Sequence, residues 1–349
     1  MEADYTKAYK GATILVTGGA GAIGSNLTKA LAELGAAKVI VLDNLSSAER
    51  WNVPSLPNIL FVEGDILDEV KLKRVFFEEP QYIFHLAAFF ANQNSVDHPE
   101  KDLQVNGMGT LRLLEYATFT KANIKRFVYA SSGCSIYGSS APMPLKEEFM
   151  SLHLSTPYQI TKMLGELYCN FFHHHYGTPV VKTRFFNSYG PGEVPGQYRN
   201  VIPNFIYWAL RKKALPITGT GEETRDFTYV TDIVSGLLKA GILENVIGDE
   251  FNLASEVETR IKDLAEMINK LTGNPAGINF QERRKWDTKS RLLASVDKAR
   301  KLIDYEPTTG FEEGLKNTIK WFQDNWDNIE KSARFGPGAS SAVKSVVGK

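Results

Sequence analysis

Short, almost continuously apolar runs recur through the first half of the chain: ATILVTG from Ala12, AKVIVLD from Ala37, NILFVEGDI from Asn58, YIFHLAA from Tyr82, KRFVYASS from Lys125 and VVKTRFFN from Val180. They are too short for helices, rich in β-branched and aromatic residues, and lack the polar alternation of a half-exposed strand, so they predict strands buried on both faces. Between them lie segments of helical length and period, among them SNLTKALAELG from Ser25 and VNGMGTLRLLEYATFTK from Val105. Strand and helix in strict turn predict a doubly wound, Rossmann-type α/β fold with a parallel sheet. Beyond residue 187 the rhythm gives way to glycine- and proline-rich loops (YGPGEVPGQYRNVIP from Tyr189) and helical patterns with only short strand-like runs. The expected organisation is a cofactor domain over residues 1–187, rejoined by 228–255, and a smaller C-terminal substrate lobe over most of 188–333. Residues 334–349, small and polar, read as a flexible tail.

The glycines of TGGAGAIGSN, directly behind the first run, weaken any ordinary element, so something other than core packing favours them. Gly18, Gly21 and Gly24 have the spacing of a strand-to-helix turn that lets backbone approach a pyrophosphate, whose charge the helix start then binds. A tight turn with no ligand is the competing reading. Asp43 favours the ligand reading: it ends the second run about twenty residues on, where a carboxylate accepts from a ribose 2′-hydroxyl and repels a 2′-phosphate. The expected cofactor is therefore NAD rather than NADP. Around it the cofactor surface is expected to take in Ala22 and Ile23 of the turn, Asn44 and Ser46 behind Asp43, and Leu86 at the end of the fourth run. Asp65, followed by Ile66, is either an adenine-edge contact or a helix cap.

In TPYQITK, Tyr158 and Lys162 stand one helical turn apart and project from one face. A tyrosine base must fall about three pKa units from its usual value near 10, roughly 4 kcal/mol. One cation about 4 Å away at an effective dielectric near 20 supplies about that much. Alone, such a pair is a common surface arrangement; behind a dinucleotide turn it reads as a catalytic pair.

Charge and cysteine usage narrow the class. The 349 residues carry a formal net charge of zero and no long basic run, which argues against a nucleic-acid or membrane-surface partner. The first residues are acidic where a secretion signal is basic, and no apolar stretch is long enough to span a bilayer. Cys134 and Cys169 have no disulfide or metal-ligand pattern, which fits a reducing, cytoplasmic compartment. The three histidines His173, His174 and His175 point in different directions on a helix, so no metal site is expected.

Taken in order, TGGAGAIG, VLDN, GDI, HLAA, YASSGCSIYG, YQITK, RFFNSYGPG, TGTGEETRDFTYVTDI and FNLAS resemble the extended short-chain dehydrogenase/reductases, in particular the nucleotide-sugar epimerases and dehydratases. The resemblance covers nearly the whole chain. It implies a held NAD that takes a hydride from the sugar and returns it, with Tyr158 removing the hydroxyl proton and Lys162 binding the nicotinamide ribose. It places Ala87 and Ala88 beside the cofactor and makes Asn106 the asparagine that anchors a helix near the active site. Asn187 resembles the residue that meets the sugar diphosphate, Arg225 the phosphate-binding arginine, and Arg284 and Asp287 the later phosphate and ribose contacts. Pairing through two helices, one carrying the Tyr–Lys pair, makes a homodimer the expected assembly.

Within YASSGCSIYG the family Ser or Thr falls on Gly133 when counted back from Tyr137, and on Ser132 when counted forward from Tyr129. Ser132 is the preferred reading, with Ser131 and Ser135 as alternatives. Where dehydratases and UDP-glucuronate decarboxylases carry an acid, this chain has Cys134 and Ser135, which demotes both reactions. Cys134 is either a small buried residue or, as in sugar 3,5-epimerases, a thiol base. The amide of Asn92, in the loop after the fourth strand, is a candidate partner of sugar hydroxyls. The expected function is NAD-dependent epimerisation of a nucleoside-diphosphate sugar at C4 through a 4-keto intermediate. The runners-up are a 4,6-dehydratase, a 3,5-epimerase and a non-catalytic NAD-binding regulator for which Gly133 is the only support.

Overall fold

The computed structural model describes residues 5–335 apart from 284–286 and 288; Arg284 and residues 336–349 of the expected tail lie outside the described residues. Six of the apolar runs form strands β1 (Thr13–Thr17), β2 (Lys38–Asp43), β3 (Ile59–Glu63), β4 (Tyr82–His85), β5 (Arg126–Ser132) and β6 (Val180–Phe185). A seventh strand, Glu250–Leu253, pairs with β6, so the sheet runs Glu250–Leu253, β6, β5, β4, β1, β2, β3 with every pairing parallel. Side chains alternate between two buried faces. Ile14, Val16, Phe84, Val128 and Val181 join one core, and Leu15, Ile40, Ile83, Phe127 and Val180 the other. This two-sided burial is why the strands read as unbroken apolar runs.

The order of the sheet reverses between β1 and β4, and a crevice opens there beyond the carboxyl ends of the strands. The second lobe, packed around Phe205, Tyr207, Leu264, Ile268, Leu315 and Phe322, closes over it. Its strand Thr224–Asp226 pairs antiparallel with Glu258–Arg260 and faces the crevice. The long helix Pro157–Tyr176 has local reasons for both its ends: Thr156 caps it by accepting from the Gln159 N–H, Pro157 sits in its first turn, and Gly177 ends it in the left-handed conformation. Gly165 lets this helix lie against β5, since a Cβ there would stand 2.1 Å from the Tyr129 hydroxyl. That approach brings the first turns of the helix over the end of β5. Among the described residues no helix is long and apolar enough to cross a membrane.

The segment from Val105 differs from its pattern. Its start is a π-helical stretch, Leu103–Met108, before the α-helix Gly109–Phe119. The wide turn carries Asn106, whose side chain is hydrogen-bonded on all sides. Its Oδ1 accepts from the Phe89 N–H (2.8 Å), while Nδ2 donates to Asp102 (2.9 Å) and to the Phe89 carbonyl (3.2 Å).

Candidate active site

A cavity of about 490 Å³ lies between the ends of β1, β2, β4 and β5 and the second lobe. Its floor is the glycine turn. Gly18 has φ +70°, and a Cβ there would stand 2.6 Å from the Ala87 nitrogen; a Cβ on Gly24 would stand 2.1 Å from the Gly18 carbonyl oxygen. Gly18 therefore allows the turn to touch β4's exit, and Gly24 lets the helix Ala22–Glu33 start directly beneath it. Ala22, Ile23, Leu86, Ala87 and Ala88 line the cavity together with them.

Asp43 closes the β2 side. One carboxylate oxygen accepts from the Ala20 N–H (3.0 Å) and the other from the Leu45 N–H (2.9 Å). Burial raises its pKa, and those two N–H groups oppose the rise. Each oxygen keeps a lone pair for a ribose hydroxyl. Asn44 donates to Asp65 (2.7 Å) and accepts from the Ser46 N–H, so the second rim of the cavity is a single hydrogen-bonded unit. The cap of the following helix, Glu69–Phe76, is Asp68, which takes the Val70 and Lys71 N–H groups. Asp65 is thus a cavity residue, with Ile66 beside it.

The reactive wall is built by β5 and the long helix. The Tyr158 hydroxyl hydrogen-bonds the Ser132 side chain, and Ser135 donates to the Ser132 hydroxyl oxygen (2.9 Å). Gly133 is explained by packing: a Cβ there would stand 1.9 Å from the Phe186 ring. Of the two positions, Ser132 stands against the tyrosine and Gly133 against the Phe186 ring. Ser131 also lines the cavity, and its buried hydroxyl has no partner among the described residues. Lys162 donates to the Ala130 carbonyl (2.8 Å), with its ammonium 5.7 Å from the centre of the Tyr158 ring. Burial pushes the Tyr158 phenol up, reinforced by Asp102, and draws Lys162 down to about 8. Cys134 donates its thiol to Asn187 Oδ1 (3.0 Å), and burial raises its pKa, so it stands in the wall as a protonated donor.

The opposite wall carries Arg225, whose guanidinium donates to Asp287 (3.2 Å) and to the Thr224 carbonyl (2.8 Å). Lys289 reaches across from it to the Cys134 carbonyl (2.6 Å). Asn92 lines the cavity from the other side, its amide oxygen accepting from Thr156 (2.7 Å). Among the described candidate residues, Asn106 and Ser135 do not line the cavity: Ser135 is buried behind Ser132, and Asn106, also buried, holds the Phe89 loop to Asp102 as a positioning residue.

Comparison with known proteins decides the family. The family model described as the NAD dependent epimerase/dehydratase family matches residues 14–254. The chain belongs to that family. It is an NAD-dependent enzyme of the nucleotide-sugar epimerase type. An epimerase from Methanothermobacter thermautotrophicus is 58% identical, with a TM-score of 0.93 over 95% of this chain and 98% of its own. The enzyme WbmF from Bordetella bronchiseptica, solved in complex with NAD+ and UDP, is 37% identical, with a TM-score of 0.82 over 94% of this chain and 96% of its own. Among curated relatives, the UDP-glucose 4-epimerase of Mycolicibacterium smegmatis is 34% identical over 88% of this chain and 98% of its own length.

The epimerase's own residues fit NAD. Gly18 and Gly24 let the turn, the exit of β4 and the helix start pack directly on one another, the helix start supplies N–H groups for a pyrophosphate, and Asp43 offers acceptors to a ribose. Several cavity residues escaped the sequence reading. Glu193, Gln197, Tyr198, Arg199 and Asn200 lie in the glycine- and proline-rich loop, whose composition marked it as a loop without showing what it faces. Asp102, which accepts from Thr161 (2.6 Å) and Asn106 and which burial raises to about 6, sits behind the reactive wall. Among the described residues no group of three or more His, Cys, Asp or Glu side chains could hold a metal ion.

Proposed function

We propose that this enzyme inverts C4 of a UDP-hexose through a transient 4-keto sugar. The observation that carries the reading is the meeting of Ser132, Tyr158 and Lys162 on one wall of a cavity whose opposite wall carries Arg225 and Asp287. Tyr158, as phenolate, takes the O4 proton and later returns it. Ser132 holds the same hydroxyl in line, and the Lys162 cation stabilises the phenolate against the burial that opposes it. Bound NAD supplies a reversible hydride acceptor, so C4 becomes trigonal and can be refilled from either face. Asn187 and Arg225 take the diphosphate, a task for which the forked guanidinium is suited. Uridine as the nucleoside is supported by the UDP in the WbmF complex and by the named substrate of the M. smegmatis relative.

What speaks against dehydration is the absence, among the described residues of the Ser132–Ile136 stretch, of any carboxylate to move a second proton. A thiol base is disfavoured by the raised pKa of Cys134. Gly133 lends the regulator reading no support once Phe186 accounts for it. A homodimer is supported by Ile160, Leu167 and Phe171, which lie on one face of the long helix and are each about half exposed, beside exposed Leu103 and Met108. The two free thiols favour a cytosolic location.

The test is to incubate the purified protein with UDP-, GDP-, CDP- and dTDP-sugars, with no NAD added, and to separate products by chromatography with mass detection. A new peak of unchanged mass from a UDP-hexose is expected, and Tyr158→Phe should abolish it while keeping NAD. Loss of water or carbon dioxide would sink the reading.

A further inference from the structure

The segment Gly190–Asn200 belongs neither to the Tyr158 cluster nor to the Arg225–Asp287 pair, yet it supplies much of one side of the cavity. In the sheet, β1 lies between β4 and β2. Tyr198 donates its hydroxyl to Asp97 Oδ2 (2.9 Å), and Asp97 ends the helix that follows β4, Asn92–Asp97. Arg199, its neighbour in the chain, donates from Nη2 to the Ser47 carbonyl in the loop that follows β2. Strands are spaced about 4.8 Å apart, so β2 and β4 stand about 10 Å from one another across β1. Two consecutive residues that tie to loops on both sides place the backbone between them over the end of β1, above the glycine turn.

The start of the segment is fixed, and its middle is tied to the second lobe, where Gln197 donates its N–H to the Arg334 carbonyl (2.9 Å) and Gly196 donates its N–H to Asn204 Oδ1 (2.9 Å). Asn26, on the helix of the glycine turn, donates to the Pro191 carbonyl (2.9 Å), and Asn52 to the Gly192 carbonyl (2.9 Å). Glu193 accepts from the Asn200 amide (2.9 Å), which joins the two ends of the segment. Arg199 also stands near enough to Asp43 to stabilise its carboxylate. Asp43 marks the ribose end of the cofactor site, so Arg199 lies over that end.

We propose that Gly190–Asn200 is a strap closed over bound NAD at its pyrophosphate and adenosine ribose, and that Tyr198 and Arg199 are its latches. Their two hydrogen bonds break before NAD leaves. An enzyme that regenerates its cofactor within each turnover never needs to open such a strap, whereas one that releases NADH does.

The experiment follows NAD, not sugar, so it is independent of which reaction the enzyme performs. NAD-loaded wild type, Tyr198→Phe, Arg199→Met and the double variant are desalted at timed intervals, and the NAD still bound is quantified by chromatography. Release is expected to speed about fivefold in Tyr198→Phe and more in Arg199→Met, whose donor is charged, with the double variant fastest. Asp97→Asn, which keeps an acceptor facing Tyr198, should release at the wild-type rate. A double variant within twofold of wild type would overturn the proposal. So would a double variant whose NAD-free form melts many degrees below NAD-free wild type, because the ties would then hold the fold rather than the cofactor.

Discussion

Replacing Lys162 by Met removes the cation beside Tyr158 while keeping the length of the side chain. The ammonium lies 5.7 Å from the centre of the tyrosine ring, and a unit charge at that distance in an effective dielectric near 20 is worth about 3 kcal/mol, or about two pKa units. Burial pushes the phenol the other way, and the nearby Asp102 carboxylate adds to that rise. The phenolate fraction at neutral pH should therefore drop about a hundredfold, and kcat with it. The limb of the pH–rate profile that rises with loss of the Tyr158 proton should move about two units alkaline. The assay is kcat for interconversion of the UDP-hexose identified by the panel, measured from about pH 6 to 10. NAD content is quantified alongside, since Met also leaves the Ala130 carbonyl without its donor. An unshifted limb, whatever the loss in kcat, would refute the electrostatic role and leave Lys162 as a ribose and carbonyl contact.

Two further outcomes concern His85 and the exposed face of the long helix. His85 is bridged between the Thr17 and Thr110 hydroxyls (2.8 and 2.9 Å), and burial holds its pKa at about 3. The unfolded chain binds that proton near 6.5 and the folded one does not, so folded stability falls as pH drops through the window between about 6.5 and 3. From pH 7 to 5 this single group accounts for about 2 kcal/mol, and His85→Gln should flatten the dependence of the urea midpoint by that much. On the long helix, Leu167→Asp combined with Phe171→Asp puts two charges on the exposed apolar face and should yield a monomer in analytical ultracentrifugation; an unchanged sedimentation coefficient would remove this face from the assembly.

Much of this enzyme is determined by the sequence itself, because the determinants are local. An apolar run of strand length, a glycine turn, and a carboxylate about twenty residues on are held at fixed separations by short stretches of backbone. The Tyr158–Lys162 pair is likewise a matter of helical pitch. The tertiary structure decided what depends on contacts between distant segments. Ser132 rather than Gly133 faces Tyr158, with Gly133 against the ring of Phe186, arriving from β6. Whether Cys134 could act as a base turned on its burial against Asn187, 53 residues away. Asn106 matched its motif but is turned by a π-helical stretch toward the Phe89 loop. The strap had no sequence signal beyond its glycines and prolines, because Tyr198 meets Asp97 across 101 residues and Arg199 meets Ser47 across 152. Spacing along a chain constrains neighbours a turn or a strand apart; the partner of a side chain that reaches across the cleft is set only when the sheet and the second lobe have closed on each other.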